Sequence, residues 1–438
     1  MVSVSGGSQH ADSGQSTDGE QHAGEQHAHQ DANQYVNDNR FVELREALAS
    51  RTGTHARDWF PVFKARYGMQ IVFEAMHNVR GNGSVMTQLF TCCTAVDPII
   101  VAGLRPRYAD VDANTMAINP KRAESLRVDA DEQIHAVMLQ HTFGAIDAEA
   151  SRALAAFAEG INALLVEDCA HCAARMAVSN SGEPLADISV HSFGVEKILP
   201  TRFGGAVWVN PRLRSREPAL HEAILRKFSS LAEPSKHMDM VTKMYVNENR
   251  VLSRLGSLGI TLRASLTKSG WYEPPIAEIE RRGGLASTPM TVTPWIASQA
   301  EQAIRSLDAN EAGRRDVVEA YRRAFVGCAH VTIPHTVANG QAQPLLRFPL
   351  FAQDTAAAER IIAAVRAVGG YAERWYRPEL FPGVTDPAAY GLDHLDRSSV
   401  TVSDHLVATA LCLPTELGTG DTARARVQAI IDAVLHTA

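Results

Sequence analysis

The sequence has no long apolar run and no excess of positive charge. Its longest apolar stretches, such as Pro98-Ile99-Ile100-Val101, fall well short of the roughly 18–20 residues that a membrane helix needs. The formal net charge of the chain is −7 at pH 7, so no global positive field favours binding to a polyanion. These features predict a protein that neither spans a membrane nor binds nucleic acid.

Cysteine is also scarce, and its spacing shows no disulfide framework. The six cysteines of the 438 residues are expected to be reduced thiols: Cys92, Cys93, Cys169, Cys172, Cys328 and Cys412. The first 34 residues contain no Lys or Arg and no apolar block, so they lack the cationic start and the hydrophobic middle of a secretory signal. A cytoplasmic protein is therefore expected.

The composition divides the chain into three parts. Residues 1–34 are rich in Gly, Ser, Gln, Asp and His, and this composition predicts a disordered tail. The remainder is long enough for a large core and a second domain. We expect a large domain with an N-terminal helix over residues 35–310 and a small α+β domain over residues 311–438.

Strand-like and helix-like segments alternate in the large domain, which predicts an α/β sheet. The predicted strands are short apolar runs of the kind buried in a parallel or mixed sheet, namely Gln133–Leu139, Ala163–Glu167, Ile188–Phe193 and Ala206–Val209. A helix is predicted over Ala148–Glu159. In the last third, the pattern predicts a strand over Leu345–Phe351 and helices over Ala356–Val368 and Thr422–Leu435, the last capped by Asp421.

A carboxylate ends one of these apolar strands, Leu164-Leu165-Val166-Glu167-Asp168. Ligands of open α/β sheets bind beyond the carboxyl ends of the strands, which is where Asp168 is expected. A carboxylate there can pair with a protonated pyridine nitrogen and keep that ring an electron sink. The alternative is that Asp168 caps the helix that follows it.

A lysine follows the next strand, in Ile188-Ser189-Val190-His191-Ser192-Phe193-Gly194-Val195-Glu196-Lys197, and Gly204-Gly205 comes shortly after it. A lysine that forms a Schiff base needs a sheltered loop in which its amine can lose a proton. Ser192 and the backbone of the Gly194 turn are able to donate to a phosphate. The alternative is that Lys197 is an ordinary solvated loop lysine.

The spacing of these elements resembles the cofactor region of the DegT/DnrJ/StrS sugar aminotransferases. Upstream, Gly103–Asp112 and His141-Thr142-Phe143-Gly144 are similar to motifs of that family, and downstream so are Trp375–Pro378 and Leu411–Thr415. The resemblance covers about residues 60–435. It implies the aspartate-aminotransferase fold (fold type I), with a mostly parallel seven-stranded sheet. It also implies pyridoxal phosphate as cofactor and a homodimer.

The resemblance also implies roles for individual residues. Lys197 would carry the cofactor as a Schiff base and shuttle the proton, Asp168 would pair with the pyridinium, and Ser192 would hold the phosphate. His171 occupies the position where the family often has Gln beside the ring oxygen, although a purely structural role stays equally open. The helix start that grips the phosphate is expected at Gly68-Met69-Gln70.

The sequence departs from the family pattern at three places. Cys92 stands where an aromatic side chain commonly stacks on the cofactor ring. Gly283–Pro289 occupies about the place of the loop that reaches into the neighbouring subunit, without its usual Gly-Tyr-Asn-Tyr-Arg sequence. Arg202-Phe203-Gly204-Gly205 replaces Gly-Glu-Gly-Gly after the lysine.

A different hypothesis attaches to Cys169-Ala170-His171-Cys172, because a Cys-x-x-Cys pair can bind zinc or cycle as a redox pair. No second such pair completes a zinc site, and the position beside Asp168 already has an explanation. We therefore expect no metal.

The expected activity is the transfer of an amino group from an amino acid, with glutamate as the expected donor, to a keto-sugar linked to a nucleotide. One alternative is a related cofactor-dependent sugar dehydratase, but those enzymes typically have His at the position of Lys197. A second alternative is a non-catalytic regulatory or binding protein that has kept the fold.

Overall fold

The computed structural model describes residues 40–128, 133–418 and 420–437. The predicted disordered tail, residues 1–34, lies outside these ranges. Within them, no helix combines the length and the apolar character that crossing a bilayer requires.

A seven-stranded sheet organises the larger part of the chain. Its strands are β1 (Trp59–Val62), β2 (Ser84–Thr87), β3 (Arg105–Tyr108), β4 (Ile134–Gln140), β5 (Leu164–Asp168), β6 (Ile188–Ser192) and β7 (Gly205–Val209). Their order is β1-β7-β6-β5-β4-β2-β3. Strand β7 runs antiparallel to both of its neighbours, and all the other pairs are parallel. This topology confirms the predicted mostly parallel seven-stranded sheet.

Buried apolar side chains cover both faces of this sheet. Neighbouring residues of a strand point to opposite faces, so Val137 and Met138 of β4 belong to different apolar clusters. The sequence of a strand that is buried on both faces is a continuous apolar run. That property made β4, β5, β6 and β7 predictable to within one residue at either end.

Twelve helices of the described residues accompany these strands up to the C-terminal third. They are α1 (Val42–Thr52), α2 (Ala65–Arg80), α3 (Cys93–Val101), α4 (Pro120–Val128), α5 (Ala148–Gly160), α6 (Leu213–Arg216), α7 (Pro218–Ser229), α8 (Lys236–Arg254), α9 (Gly256–Lys268), α10 (Pro294–Arg305), α11 (Leu307–Phe325) and α12 (His335–Ala338). Helix α5 matches the predicted Ala148–Glu159. It begins where the Asp147 side chain accepts the backbone N–H groups of Glu149 and Ala150.

A second sheet of three antiparallel strands, β8 (Val331–Thr332), β9 (Arg347–Ala352) and β10 (Ala410–Pro414), lies in the C-terminal third. Helices α13 (Thr355–Ala367), α14 (Thr401–Thr409) and α15 (Gly420–Thr437) accompany it. The predicted strand and both predicted helices are present. Asp421, however, lies inside the first turn of α15, because the helix begins one residue before it. The boundary predicted at residue 310 falls inside α11.

Gly205 lets β7 pass close to the start of α2. A Cβ atom on Gly205 would lie 2.7 Å from the His191 carbonyl oxygen and 2.9 Å from the Ala65 nitrogen, and neither backbone atom can easily move. We expect Gly205→Ala to lower the free energy of unfolding by about 1–3 kcal/mol, as overpacking does. The control is Gly313→Ala in α11, where a Cβ meets nothing within 4 Å. It should raise stability by up to about 1 kcal/mol. Urea unfolding measures both, and a neutral Gly205→Ala would contradict the close packing.

Candidate active site

The carboxyl ends of several parallel strands open into one cavity of about 320 Å³. A polar side chain that lines the cavity stands at the end of β4, β5 and β6, namely Gln140, Asp168 and Ser192, and Lys64 follows shortly after β1. Crevices at this edge are the usual ligand sites of open α/β sheets. The position of the cavity therefore follows from the direction of the strands.

Lys197 projects into this cavity from the loop that joins β6 and β7. The Thr201 hydroxyl donates to the Phe193 carbonyl at 2.6 Å and closes the loop across its base. Within the described residues the Lys197 amine makes no hydrogen bond or ion pair, and it lies 5.9 Å from the centre of the Trp375 ring. Burial lowers the pKa of Lys197, with Cys92 and Asp168 opposing the shift. The amine is therefore free to react.

Asp168 is held in a fixed orientation at the end of β5. Its Oδ1 accepts the backbone N–H of Ala170 at 2.9 Å, and the chain then turns without forming a helix, so the helix-cap alternative does not apply. Burial raises the pKa of Asp168, while the Ala170 N–H and Lys197 oppose the shift. Asp168 is 6 % exposed, so a cationic group bound in the cavity can reach its carboxylate.

Behind Asp168, the buried Glu167 accepts three hydrogen bonds. They come from His141 Nε2 at 2.8 Å, from the Ala177 N–H at 2.6 Å and from the Ser189 hydroxyl. Burial alone would raise the pKa of Glu167, but these bonds hold it below its ordinary value. Glu167, His141 and Cys169 bring potential metal-ligand atoms within 4.8 Å of one another. Both Glu167 oxygens are already bonded, so the cluster acts as a hydrogen-bonded support.

His171 forms part of an aromatic wall of the cavity. The Phe143 N–H donates to its Nδ1 at 3.1 Å, so Nε2 carries the proton and donates to the Tyr376 hydroxyl at 3.0 Å. The ring stacks on Trp375 with centroids 5.4 Å apart. Burial, with help from Lys197 and Arg347, places the pKa of His171 well below its usual value. His171 is therefore neutral at physiological pH.

The helix that was expected to begin at Gly68 begins three residues earlier. Helix α2 begins at Ala65, directly after β1. Gly68 lies one turn further in, against Val207, and the Gln70 amide donates to Glu74 at 2.7 Å. Neither Gly68 nor Gln70 lines the cavity. The first turn of α2, whose N–H groups have no partner within the helix, lies near Ala65 instead.

The other predicted residues do line the cavity. They are Lys197, Asp168, His171, Ser192, Met69 and Cys92. Cys92 stands just before α3, with its sulfur 3.0 Å from the Thr94 hydroxyl. Its hydrogen bonds to Cys93 and Thr94, together with the charge of Lys197, lower the pKa of the Cys92 thiol.

Sequence reasoning missed several lining residues. Lys64 and Arg66 enter from the start of α2 and pair with Glu273 and Glu280, the second pair at 2.5 Å. Trp375 and Tyr376 come from the segment after α13. Lys64 had a detectable signal, since it is a polar residue just beyond a buried strand, as Asp168 is. The two aromatic residues had been noted only as a motif.

Comparison with known proteins gives the family of the chain. Residues 18–248 match the model of the DegT/DnrJ/EryC1/StrS aminotransferase family. The chain is 26% identical over 198 residues to L-glutamine:2-deoxy-scyllo-inosose aminotransferase of Streptomyces kanamyceticus, which is 41% of this chain and 45% of that protein. The match thus spans about half the length of that relative.

Solved structures support the same fold. PseC of Helicobacter pylori, an aminotransferase involved in pseudoaminic acid biosynthesis, has a TM-score of 0.64 at 14% identity, with 94% of this chain and 95% of that one covered. A Bacillus subtilis protein, ntda, solved with bound cofactor PMP, has a TM-score of 0.63 at 12% identity, with 94% and 82% covered. These likenesses show the aminotransferase fold, and the family whose model matches uses pyridoxal phosphate. The chain belongs to the DegT/DnrJ/EryC1/StrS aminotransferase family.

The neutral, buried state of His171 should make stability depend on pH. Below its ordinary pKa of 6.5, the unfolded chain binds a proton at this histidine that the folded protein excludes, so stability falls as the pH falls. We expect His171→Gln to lose less stability than the parent between about pH 7.5 and about pH 5.5. The exposed His436 supplies the control His436→Gln, which should keep the parental slope. Equal slopes for His171→Gln and the parent, measured by urea unfolding, would contradict a neutral His171.

Proposed function

We propose that the protein is a pyridoxal-phosphate-dependent aminotransferase. The observation that carries this proposal is the convergence of the Lys197 amine, the Asp168 carboxylate and the Ser192 hydroxyl on one cavity. These are the three kinds of group that the cofactor requires: an amine for its aldehyde, an anion for its pyridine nitrogen and donors for its phosphate.

The residues present fit the cofactor. The Lys197 amine has no partner in the described residues and faces the cavity, so it is available as the attachment point. Asp168 is fixed beside it and would hold the pyridine nitrogen. The phosphate would lie between Ser192 and the first turn of α2, whose backbone N–H groups have no partner within the helix.

When bound, pyridoxal phosphate supplies an electron sink for the carbanion formed on the substrate. Lys197 Nζ takes and returns the substrate proton, and its lowered pKa increases the fraction of neutral amine that can do so. Asp168 would hold the pyridine nitrogen through its carboxylate, whose charged form the Ala170 N–H and Lys197 stabilise. His171, Trp375 and Tyr376 close one side of the cavity and exclude water from the reacting atoms.

For the substrates, we propose an amino acid as donor and a keto-sugar, linked to a nucleotide, as acceptor. Glutamate was the expected donor, and the Streptomyces relative is named for glutamine and 2-deoxy-scyllo-inosose. Both donors carry the same α-amino and α-carboxylate groups. A screen of the holoenzyme with each donor and a panel of keto-sugars, with mass detection of the aminated product, tests both assignments.

Two alternatives make different predictions in that screen. A dehydratase would lose water from the sugar without gaining nitrogen, but Lys197 stands where those enzymes typically have His. A non-catalytic protein would give no product although it binds the cofactor.

Substitutions of Lys197 and of Asp168 should impair amino transfer in different ways. Lys197→Ala should abolish multiple turnovers because the attachment point and the proton carrier are lost, while added cofactor still binds through the phosphate contacts. Asp168→Asn should retain the visible absorbance of attached cofactor but slow the proton transfer that follows donor addition, by at least about tenfold. Stopped-flow absorbance after mixing with glutamate measures this step.

The control for both variants is Asp393→Asn, which changes an exposed carboxylate that does not line the cavity and should behave as the parent. Parental transfer rates in Asp168→Asn, or repeated turnovers in Lys197→Ala, would refute these two roles.

We also propose a cytoplasmic homodimer with a small domain from about residue 311 onward. Helices α8 and α9 expose an unusual number of large apolar side chains. Val251 is 55% exposed, Leu258 65% and Ile260 69%, and exposed apolar patches of this kind mark interfaces. The partner would cover this surface.

Charge on this surface should disrupt the assembly. We expect a Leu258→Glu, Ile260→Glu double variant to shift the molar mass, measured by light scattering, from two chains toward one, because burying two carboxylates in an apolar interface is unfavourable. Leu435→Glu, at an exposed apolar residue of α15, is the matched control and should leave the mass unchanged. A parent protein that is already a fully active monomer would rule out the dimer.

A further inference from the structure

Besides Lys197, one other cationic residue that lines the cavity, Arg202, has no ion-pair or hydrogen-bond partner among the described residues. Lys64 pairs with Glu273 and Arg66 pairs with Glu280. Arg202 also lines the cavity and is half-buried, but its guanidinium makes no ion pair or hydrogen bond with any described residue. A guanidinium at the edge of a substrate cavity, without an anion of the described residues to pair with, is available to an anion of the substrate.

The backbone conformation of Arg202 also indicates a ligand-binding residue. Arg202 has a φ of 68°, in the left-handed region that favours glycine, and it precedes Gly204 in the loop that carries Lys197. A side chain at such a φ strains the backbone, and strained residues cluster at ligand sites. The similar family motif has Gly in this place, so the arginine adds a charge at the cost of conformational strain.

The neighbouring anion of the loop is already engaged. Glu196 also lines the cavity, but it is exposed and its Oε1 lies 3.3 Å from the Tyr371 hydroxyl. No ion pair joins Glu196 and Arg202 in the described part of the chain. Glu196 therefore does not offset the charge of Arg202.

We propose that Arg202 is the residue that binds the α-carboxylate of the amino donor. This inference rests on the proposed aminotransferase function. Every amino-acid donor carries a carboxylate on the carbon that must reach the Lys197 amine, and Arg202 lies five positions further along the same loop. Guanidinium binds carboxylate through two parallel hydrogen bonds, which orients the donor as well as attracting it.

A binding experiment tests the assignment without turnover. Glutarate has the carboxylates of glutamate but no amino group to react, and its affinity for the holoenzyme is measured by calorimetry. We expect Arg202→Gln and Arg202→Gly to weaken glutarate binding at least about tenfold. Arg202→Lys, which keeps the charge but not the two-pronged geometry, should fall between them and the parent. Arg323→Gln, at an exposed arginine of α11, is the control.

Thermal stability distinguishes a carboxylate-binding role of Arg202 from a structural role in the loop. Arg202→Gly removes the side chain and also relieves the left-handed strain, so its melting temperature should be equal to or above that of the parent while glutarate binding is lost. Cofactor absorbance should be unchanged. A lower melting temperature together with lost cofactor would assign Arg202 to the loop structure and overturn the proposal.

Steady-state kinetics distinguish the source of the anion. In Arg202→Gln, the KM for the amino donor should rise at least about tenfold, with the KM for the keto acceptor nearly unchanged. An unchanged donor KM with a raised acceptor KM would assign the arginine to an acceptor phosphate and overturn the proposal. If the parent transfers amino groups and Arg202→Gln has the parental glutarate affinity and donor KM, the role of Arg202 is refuted while the proposed function stands. If the parent transfers none, the proposed function fails first.

Discussion

A buried negative charge at Glu167 is the interaction on which the site depends. A carboxylate removed from water is costly unless hydrogen bonds replace its hydration. Here the replacements come from His141 after β4, from Ser189 on β6 and from the backbone of Ala177. These bonds fix three neighbouring segments relative to β5. Because Asp168 is the next residue of the strand, its carboxylate is fixed as well, on the cavity side.

The sheet edge was predictable from sequence because its signals are local. Apolar runs ending in Asp168 and Ser192 gave both the strands and the end of each strand that carries chemistry. Lys197 was recognisable only through its spacing from these two residues. The helix start expected at Gly68 was misplaced, because α2 begins at Ala65 and Gly68 is small where the helix packs against Val207.

Contacts between distant segments were beyond the sequence signal. Nothing in the pattern around Trp375 and Tyr376 indicates that their rings stack beside His171, since that depends on how the three-stranded sheet packs. Cys92 illustrates the same limit. Its place in the cavity was expected, but the hydrogen bonds that lower its pKa involve side-chain directions in the first turn of α3. The composition around residue 310 likewise carries no sign that one helix, α11, continues through it.

The aromatic wall has a consequence for the order of events during synthesis. His171 and Tyr376, which bond directly, are 205 residues apart in the chain. When the whole seven-stranded sheet has left the ribosome, Lys197 and Asp168 have left it too, whereas Trp375 and Tyr376 follow much later in the chain. Contacts of such long sequence separation form late. One side of the cavity therefore stays open on the nascent chain until the segment that contains Tyr376 has been made and has packed beside His171.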